Sequence, residues 1–254
     1  MAPATDFTTN CYENDWRMVL GEKYLRTVVE RCSHPFSIRR LIINNVSEPG
    51  VVETAAKAAI DRGDIDEYLF AEDHAAAALE FFQIDKASFG RGYLYSISEL
   101  VAIYVSSAAY LLYYMGDSFP KRRHHWIAPA LALMESSADL VIANPCWNDR
   151  FEKAEKESLG QIGDFFVGYG FSDQCFLGKM SVFRAPVYGE RNLASERYPA
   201  YADEPFEKRV DAYMRNHGLK RLTHKSESYI HQNVPKAGPK RIWREIRPFL
   251  SPWL

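Results

Sequence analysis

The sequence predicts an α/β chain: one mostly parallel wound sheet with helices on both faces, antiparallel additions and a C-terminal extension. Three observations predict it. Short strand-like runs alternate with helix-period segments over the first two thirds of the chain. Apolar residues at Ile97, Leu100, Val101, Tyr104, Val105 and Ala108 are spaced by three and four, which makes one continuous helix face. Directly after it the run Tyr110-Leu111-Leu112-Tyr113-Tyr114-Met115 stops at Gly116-Asp117-Ser118, the pattern of a buried strand that ends on an acidic turn.

The elements follow in order. Phe7 to Tyr12 reads as a short strand, and Trp16 to Cys32 as one amphipathic helix with Trp16, Val19, Leu20, Tyr24, Thr27 and Val28 on its inner face. Leu41-Ile42-Ile43 is a strand closing on Asn44-Asn45. Gly50 to Arg62, rich in alanine, is a helix closed by Gly63. Tyr68 to Ala71 is a strand ending in Glu72-Asp73, and His74 to Phe82 is a helix. The loop Gly90-Arg91-Gly92 leads into the helix and strand described above. Ile127 to Ser137 is helical, and Leu140 to Ala143 is a strand closing on Asn144-Pro145. Beyond about residue 148 charges dominate from Asp149 to Glu157, and glycines cluster at Gly160, Gly163, Gly168, Gly170 and Gly178. Cys175 to Arg184 reads as an antiparallel strand. Phe206 to His217 is a helix capped by Gly218, and from Leu219 the chain reads as a basic, proline-punctuated tail.

Composition narrows the function. The 254 residues are 47% hydrophobic and 25% charged with a net charge of −2. That suits one large domain or two small ones. The near-neutral balance argues against nucleic acid as the main partner. No segment has the apolar length of a membrane span and the first residues lack a leader pattern, so a cytoplasmic location is the expectation. Cys11, Cys32, Cys146 and Cys175 are widely separated, with no CxxC, and are expected to be buried free thiols.

Several strands thus end in polar residues: Asn10, Asn44-Asn45, Glu72-Asp73, Asp117 and Asn144. In open α/β sheets the carboxyl ends of the strands form the binding edge. The order of features from Thr8 to about Gly178 resembles the GT-A-fold glycosyltransferases, nucleotide-sugar enzymes typified by the inverting family 2 group. A first strand ending in Thr8-Thr9-Asn10, a second ending in Asn44-Asn45, a Gly-Arg-Gly loop before the long helix, and a strand ending at Met115-Gly116-Asp117 all carry the likeness. That last position is where the family has its Asp-any-Asp motif, of which this chain keeps the final aspartate. Downstream, Phe171-Ser172-Asp173-Gln174 stands where the family carries an acidic catalytic residue.

The resemblance implies a single domain with a nucleotide-sugar-binding half over 1–148 and an acceptor-binding half with the C-terminal extension over 149–254. It implies a nucleoside diphosphate sugar, expected to be UDP-linked, as donor and a carbohydrate or small-molecule hydroxyl as acceptor. Thr8, Asn10, Asn45 and Asp73 are then expected at the base and ribose. Arg91, between two glycines that allow close approach, offers a guanidinium to phosphate. Asp117 is expected to hold Mn²⁺ or Mg²⁺, hard cations that take one or two carboxylates plus substrate phosphates. His224 or His231 is expected to join it, as many members add a C-terminal histidine. Asp173 is the expected general base for the acceptor hydroxyl. Trp147 is the candidate for stacking on an acceptor sugar, and the basic run Lys121-Arg122-Arg123 lies just beyond Asp117. A sugar nucleotidyltransferase and a non-catalytic nucleotide-sugar or carbohydrate-binding protein remain the alternatives. The first is disfavoured by Thr-Thr-Asn-Cys-Tyr-Glu where a Gly-rich basic loop would stand.

Overall fold

A computed structural model describes residues 3–198 and 202–232. Among these residues the strands form one sheet of ten in the order β3-β2-β1-β4-β9-β6-β10-β8-β7, with β5 pairing β10. The first four are β1 (Thr5–Cys11), β2 (Arg39–Ile43), β3 (Glu67–Phe70) and β4 (Tyr110–Tyr114). They pair in parallel throughout, with the chain stepping outward to β2 and β3 and then back to β4 on the other side of β1. β5 is Ser118–Pro120, β6 Leu140–Trp147, β7 Gly160–Ile162, β8 Phe165–Gly168, β9 Cys175–Lys179 and β10 Lys220–His231. β9 is antiparallel to both β4 and β6, and β10 is parallel to β6. The carboxyl ends of β1, β4, β6 and β10 and the start of β9 therefore share one edge. Because β9 is inserted between β4 and β6, residues from both sides of position 148 interleave in the one sheet.

Side chains alternate across the sheet with the two-residue period of a strand. On β4, Tyr110, Leu112 and Tyr114 face one core with Phe7, Trp126, Leu177 and Leu222. Leu111 and Tyr113 face the other, with Ile142, Phe176 and Phe206. Both faces of the sheet are covered, which explains why the inner strands read as unbroken apolar runs. The helices are α1 (Trp16–Val19), α2 (Tyr24–Cys32), α3 (Pro49–Asp61), α4 (Ala71–Phe81), α5 (Ile97–Val105), α6 (Ile127–Ser136), α7 (Phe151–Lys156), α8 (Met180–Phe183) and α9 (Phe206–Asn216).

The structure corrects the sequence reading in several places. Trp16 to Cys32 is two helices, because the chain turns at Gly21, whose missing Cβ would press on the carbonyls of Met18 and Arg17 at 3.1 and 3.3 Å. Glu72 and Asp73 are not the end of β3 but the first turn of α4, where the helix dipole favours acidic residues. The Gly90-Arg91-Gly92 segment lies within 3₁₀ turns spanning Lys86–Tyr95, broken at Gly90 with φ of 54°. β6 runs on through Asn144 and Pro145. The proline is tolerated because β9 pairs only as far as Ala143 and β10 breaks register between Thr223 and Ser228. The glycines after residue 159 include the turn of an unforeseen hairpin, β7–β8, with Gly163 at φ 52°. β9 ends at Lys179 and the rest of Cys175 to Arg184 turns into α8. The largest correction is β10: the supposed tail from Leu219 contributes the long strand Lys220–His231, and only the part beyond residue 232 lies outside the described residues.

One turn positions the edge. The Gly116 amide donates to the Asn10 side chain at 2.7 Å, and its carbonyl accepts from Tyr24 at 2.7 Å. A Cβ on Gly116 would collide with the Asn10 backbone carbonyl. Gly116→Ala is therefore expected to cost about 1–3 kcal/mol through overpacking against rigid backbone. Urea denaturation measures this, and an unchanged midpoint would show that β1 and the turn can separate without cost.

Candidate active site

Three of the sequence-selected residues meet at this edge: Asp117, His231 and Asp173. Asp117 follows β4 in a turn held from every side. Met115 donates its amide to the Gln174 carbonyl at 2.9 Å, Ser118 to Met115 at 2.8 Å, and Gln232 to the Asp117 carbonyl at 3.0 Å. Pairing of His231 with Ser118 brings the last residue of β10 alongside. His231 Nε2 lies 3.3 Å from one carboxylate oxygen of Asp117, and both side chains are nearly buried. The other Asp117 oxygen and His231 Nδ1 are buried without a hydrogen-bond partner among the described residues. Burial by itself would lower the His231 imidazole, but the hydrogen bond and charge of Asp117, with Asp173 behind it, raise it.

Asp173 is half-buried in the loop before β9, on the segment that Gln174 stitches to Met115. Burial pushes its carboxyl up to about 6, with the Asp117 charge adding to the rise; His231 and the Asp173 and Gln174 amides pull the other way. Ser172 shares a 2.9 Å hydrogen bond with the Tyr229 hydroxyl, which fixes the loop to β10.

The remaining expected site residues are placed differently. Thr8 is sealed in the body of β1 between Arg40 and Tyr113 and does not reach the rim, because the strand continues to Cys11. Asn10 is buried with its side-chain oxygen committed to the Gly116 amide, so it shapes the turn. Asn45 stands exposed just after β2 with φ of 49°, and Asp73 is exposed on α4 beside the outermost parallel strand. Arg91 is turned to Asp203, which receives its backbone amide at 2.8 Å and its Nη2 at 2.9 Å. His224 lies seven residues before His231, in the irregular part of β10. Its Nδ1 accepts the Ser226 and Glu227 amides at 3.2 and 3.0 Å, and its ring packs on Phe165. Trp147 ends β6 with Arg150 stacked 4.0 Å from its ring centre. Lys121 pairs with Asp149 and Arg122 with Glu227.

Sequence reasoning missed two carboxyls, one buried and one half-buried. Glu99, on α5, is fully buried with one oxygen accepting from Tyr113 at 3.0 Å and the other unpartnered. Burial, then the Asp173 charge, push it up to about 8. Glu207, in the first turn of α9, is pushed up to about 9 by burial, Asp173 and Glu99. Nothing in the local pattern marks either; they are ordinary helix glutamates until α5 and α9 pack beside the loop. Tyr12, just past β1, feels the charges of Asp15 and Asp117 and lies near Tyr95. Asn44 donates to the Leu94 carbonyl at 3.0 Å and so ties the exposed Tyr95 segment to the end of β2.

Asp117 and His231 suit a divalent cation, since the facing Nε2 and Oδ2, 3.3 Å apart, have the separation of neighbouring ligands on one ion, and the second Asp117 oxygen is buried with no hydrogen-bond partner among the described residues. Among the described residues no group of three or more His, Cys, Asp and Glu is placed to cage an ion. Two protein ligands are nevertheless enough where substrate phosphates complete the shell. No helix among the described residues is long and apolar enough to cross a membrane.

No protein-family model matches the chain, and no curated protein matches it in sequence. Solved structures do. The structure of GalNAc-T7 with UDP, GalNAc and Mn²⁺ superposes with a TM-score of 0.53 at 10% identity over 97% of this chain. The mannosyltransferase PcManGT from Pyrobaculum calidifontis, in complex with GDP-Man and Mn²⁺, superposes with a TM-score of 0.53 at 13% identity over 94% of this chain. The chain spans 47% and 59% of the lengths of these two proteins. The fold is therefore the GT-A fold of glycosyltransferases, with the mixed sheet and flanking helices that the sequence resemblance implied.

The raised Glu99 yields a test. A carboxyl whose pKa is higher in the folded state stabilises most below its unfolded value, near about 4.3, and loses that contribution as the pH rises through the folded value. Glu99→Gln keeps the acceptor for Tyr113 and cannot ionise. It is expected to match the wild type in melting temperature at about pH 4 and to exceed it increasingly toward about pH 8. A constant difference across that range would show that Glu99 is not held protonated.

Proposed function

We propose that this chain transfers a sugar from a nucleoside diphosphate sugar, UDP-linked in the simplest case, to an acceptor hydroxyl with inversion at the anomeric carbon. The single observation that carries the reading is the convergence of Asp117, His231 and Asp173 at the carboxyl edge of a GT-A sheet, from three separate strand ends. Asp117 and His231 would hold Mn²⁺ or Mg²⁺. Such an ion, when bound, offsets charge on the donor diphosphate. Asn45, Tyr12 and Tyr95 border the place where the base and ribose would lie, after β1 and β2. Residues 1–148 supply that donor side, and 149–254 supply Asp173 and the acceptor side.

Asp173 does the proton chemistry in this reading. A carboxylate raised to about 6 is mostly ionised at neutral pH and is a stronger base than an ordinary aspartate. It accepts the acceptor's hydroxyl proton as that oxygen attacks the anomeric carbon, and the nucleoside diphosphate departs from the opposite face. Burial and the Asp117 charge hold Asp173 raised. The Ser172–Tyr229 hydrogen bond keeps the loop from swinging away.

Titration calorimetry with UDP- and GDP-linked sugars, with and without Mn²⁺, tests the donor assignment. Asp117→Ala is expected to abolish metal-dependent binding, and undiminished binding would remove its metal role. Asp173→Asn is expected to bind donor normally and to lower kcat about 10²–10⁴-fold. The wild-type rate is expected to fall as the pH drops through about 6, where the base becomes protonated. A near-normal rate for Asp173→Asn would sink the base assignment. A panel in which no nucleotide sugar binds would leave the non-catalytic carbohydrate-binding alternative.

A further inference from the structure

Two arginines converge where the Asp173 loop leaves β8. Gly170 has φ of 109°, a conformation open to glycine. A Cβ there would lie 2.6 Å from Arg197 Nη2 and 3.4 Å from both terminal nitrogens of Arg221. The two guanidinium groups are therefore within about 6 Å of each other. Arg221 sits on β10 in the row between Ile142 and Gly168 and is partly buried. Its Nε is buried with no partner, and no carboxylate among the described residues pairs with it. Arg197 touches Glu157 at 3.6 Å, with both side chains well exposed to solvent, where an ion pair is weak.

The nearby acids do not complete the balance. Asp211 gives one oxygen to Arg215 at 2.8 Å and to the Ser195 hydroxyl at 2.6 Å; its charge also reaches Arg197, but no ion pair among the described residues joins it to Arg221. Glu207 is pushed up to about 9 by burial and its acidic neighbours and stays protonated at neutral pH. A partly buried guanidinium beside another, with no acid of its own, is costly unless an anion joins it. Two planar guanidiniums side by side suit the oxygens of a phosphate or carboxylate.

The location gives the anion its meaning. Gly170 is three residues from Asp173, at most about 11 Å of chain. The intervening Phe171 is clamped at both its amide and its carbonyl by the Tyr198 hydroxyl, at 2.9 Å each. Tyr198 is the neighbour of Arg197, so the guanidiniums and the loop that carries Asp173 are held as one unit.

We propose that Arg197 and Arg221 form an anion site that takes a phosphate or carboxylate group of the acceptor, so that the molecule whose hydroxyl receives the sugar is an acidic small molecule. The site stands on the geometry at Gly170 with the protonation of Glu207 in support, while its assignment to the acceptor rests on the glycosyl-transfer reading above. The anion anchors the acceptor at Gly170 and leaves its hydroxyl to reach Asp173.

Titration calorimetry of the full chain with inorganic phosphate and, separately, with acetate tests the site, with UDP and Mn²⁺ present at saturation where they bind. The wild type is expected to bind at least one of the two anions, and the preferred anion tells phosphate from carboxylate. Arg221→Gln is expected to weaken that binding at least tenfold, with Arg221→Lys in between because it keeps the charge and loses the fork. The same anion is expected to raise the melting temperature of the wild type and leave that of Arg221→Gln unmoved. Arg197→Gln serves as the second variant should Arg221→Gln fail to fold. Absence of anion binding to the wild type, or binding unchanged in the folded variants, overturns the site. The UDP titration is the separate arm. Anion binding through Arg221 without nucleotide binding removes the transfer reading and keeps the site; nucleotide binding without anion binding does the reverse.

Discussion

The hydrogen bond from the Gly116 amide to the Asn10 side chain joins the ends of β1 and β4, and the candidate site is built outward from it. These two strands flank the point where the chain reverses its direction of travel across the sheet, where open α/β sheets have their crevice. With that bond in place, Met115 can pair with Gln174, which brings in the Asp173 loop, and Asp117 can pair with Gln232, which brings in the end of β10. Asp117 thus meets its partners as a consequence of backbone pairing. Glycine is required at position 116 because the Asn10 carbonyl occupies the space of a side chain.

Around that turn the protein concentrates acids that repel one another. Asp117, Asp173, Glu99 and Glu207 come from four different elements, and burial compounds their mutual repulsion. Such an arrangement destabilises the ionised fold. It is compensated by His231 beside Asp117, by the amides that hold Asp173, and by protons on the two glutamates. The result is a graded set of carboxyls in which Asp173 is ionised while Glu99 and Glu207 keep their protons. The same economy appears with opposite sign at Gly170, where two arginines face each other across a glycine.

How much of this was legible depended on the range of the interaction. The parallel half was legible because each inner strand is covered on both faces and so reads as an apolar run, as in Leu41-Ile42-Ile43 and Tyr110 to Tyr114. The antiparallel half was not. β10 carries Lys220, Arg221, His224, Lys225 and Glu227, and a break in register hides its period, so it reads as a charged tail. The glycines of β7–β8 signal turns without saying that a hairpin lies between them. Arg91 looked like a phosphate ligand because its flanking glycines permit close approach, yet what approaches is Asp203 from the far end of the chain.

The sequence by itself determined the alternation of strands and helices, the acidic ending of β4, and the candidacy of Asp117, Asp173 and His231. Those are local facts: periodicity, turn chemistry and residue type within a few positions. Only the tertiary structure decided that these three meet while Thr8, His224 and Arg91 face elsewhere. It alone brought Glu99, Glu207, Arg197 and Arg221 beside them. Which side chains share a site is set by strand order and packing between elements far apart in the chain, and long-range pairing of that kind leaves no trace in the residues on either side.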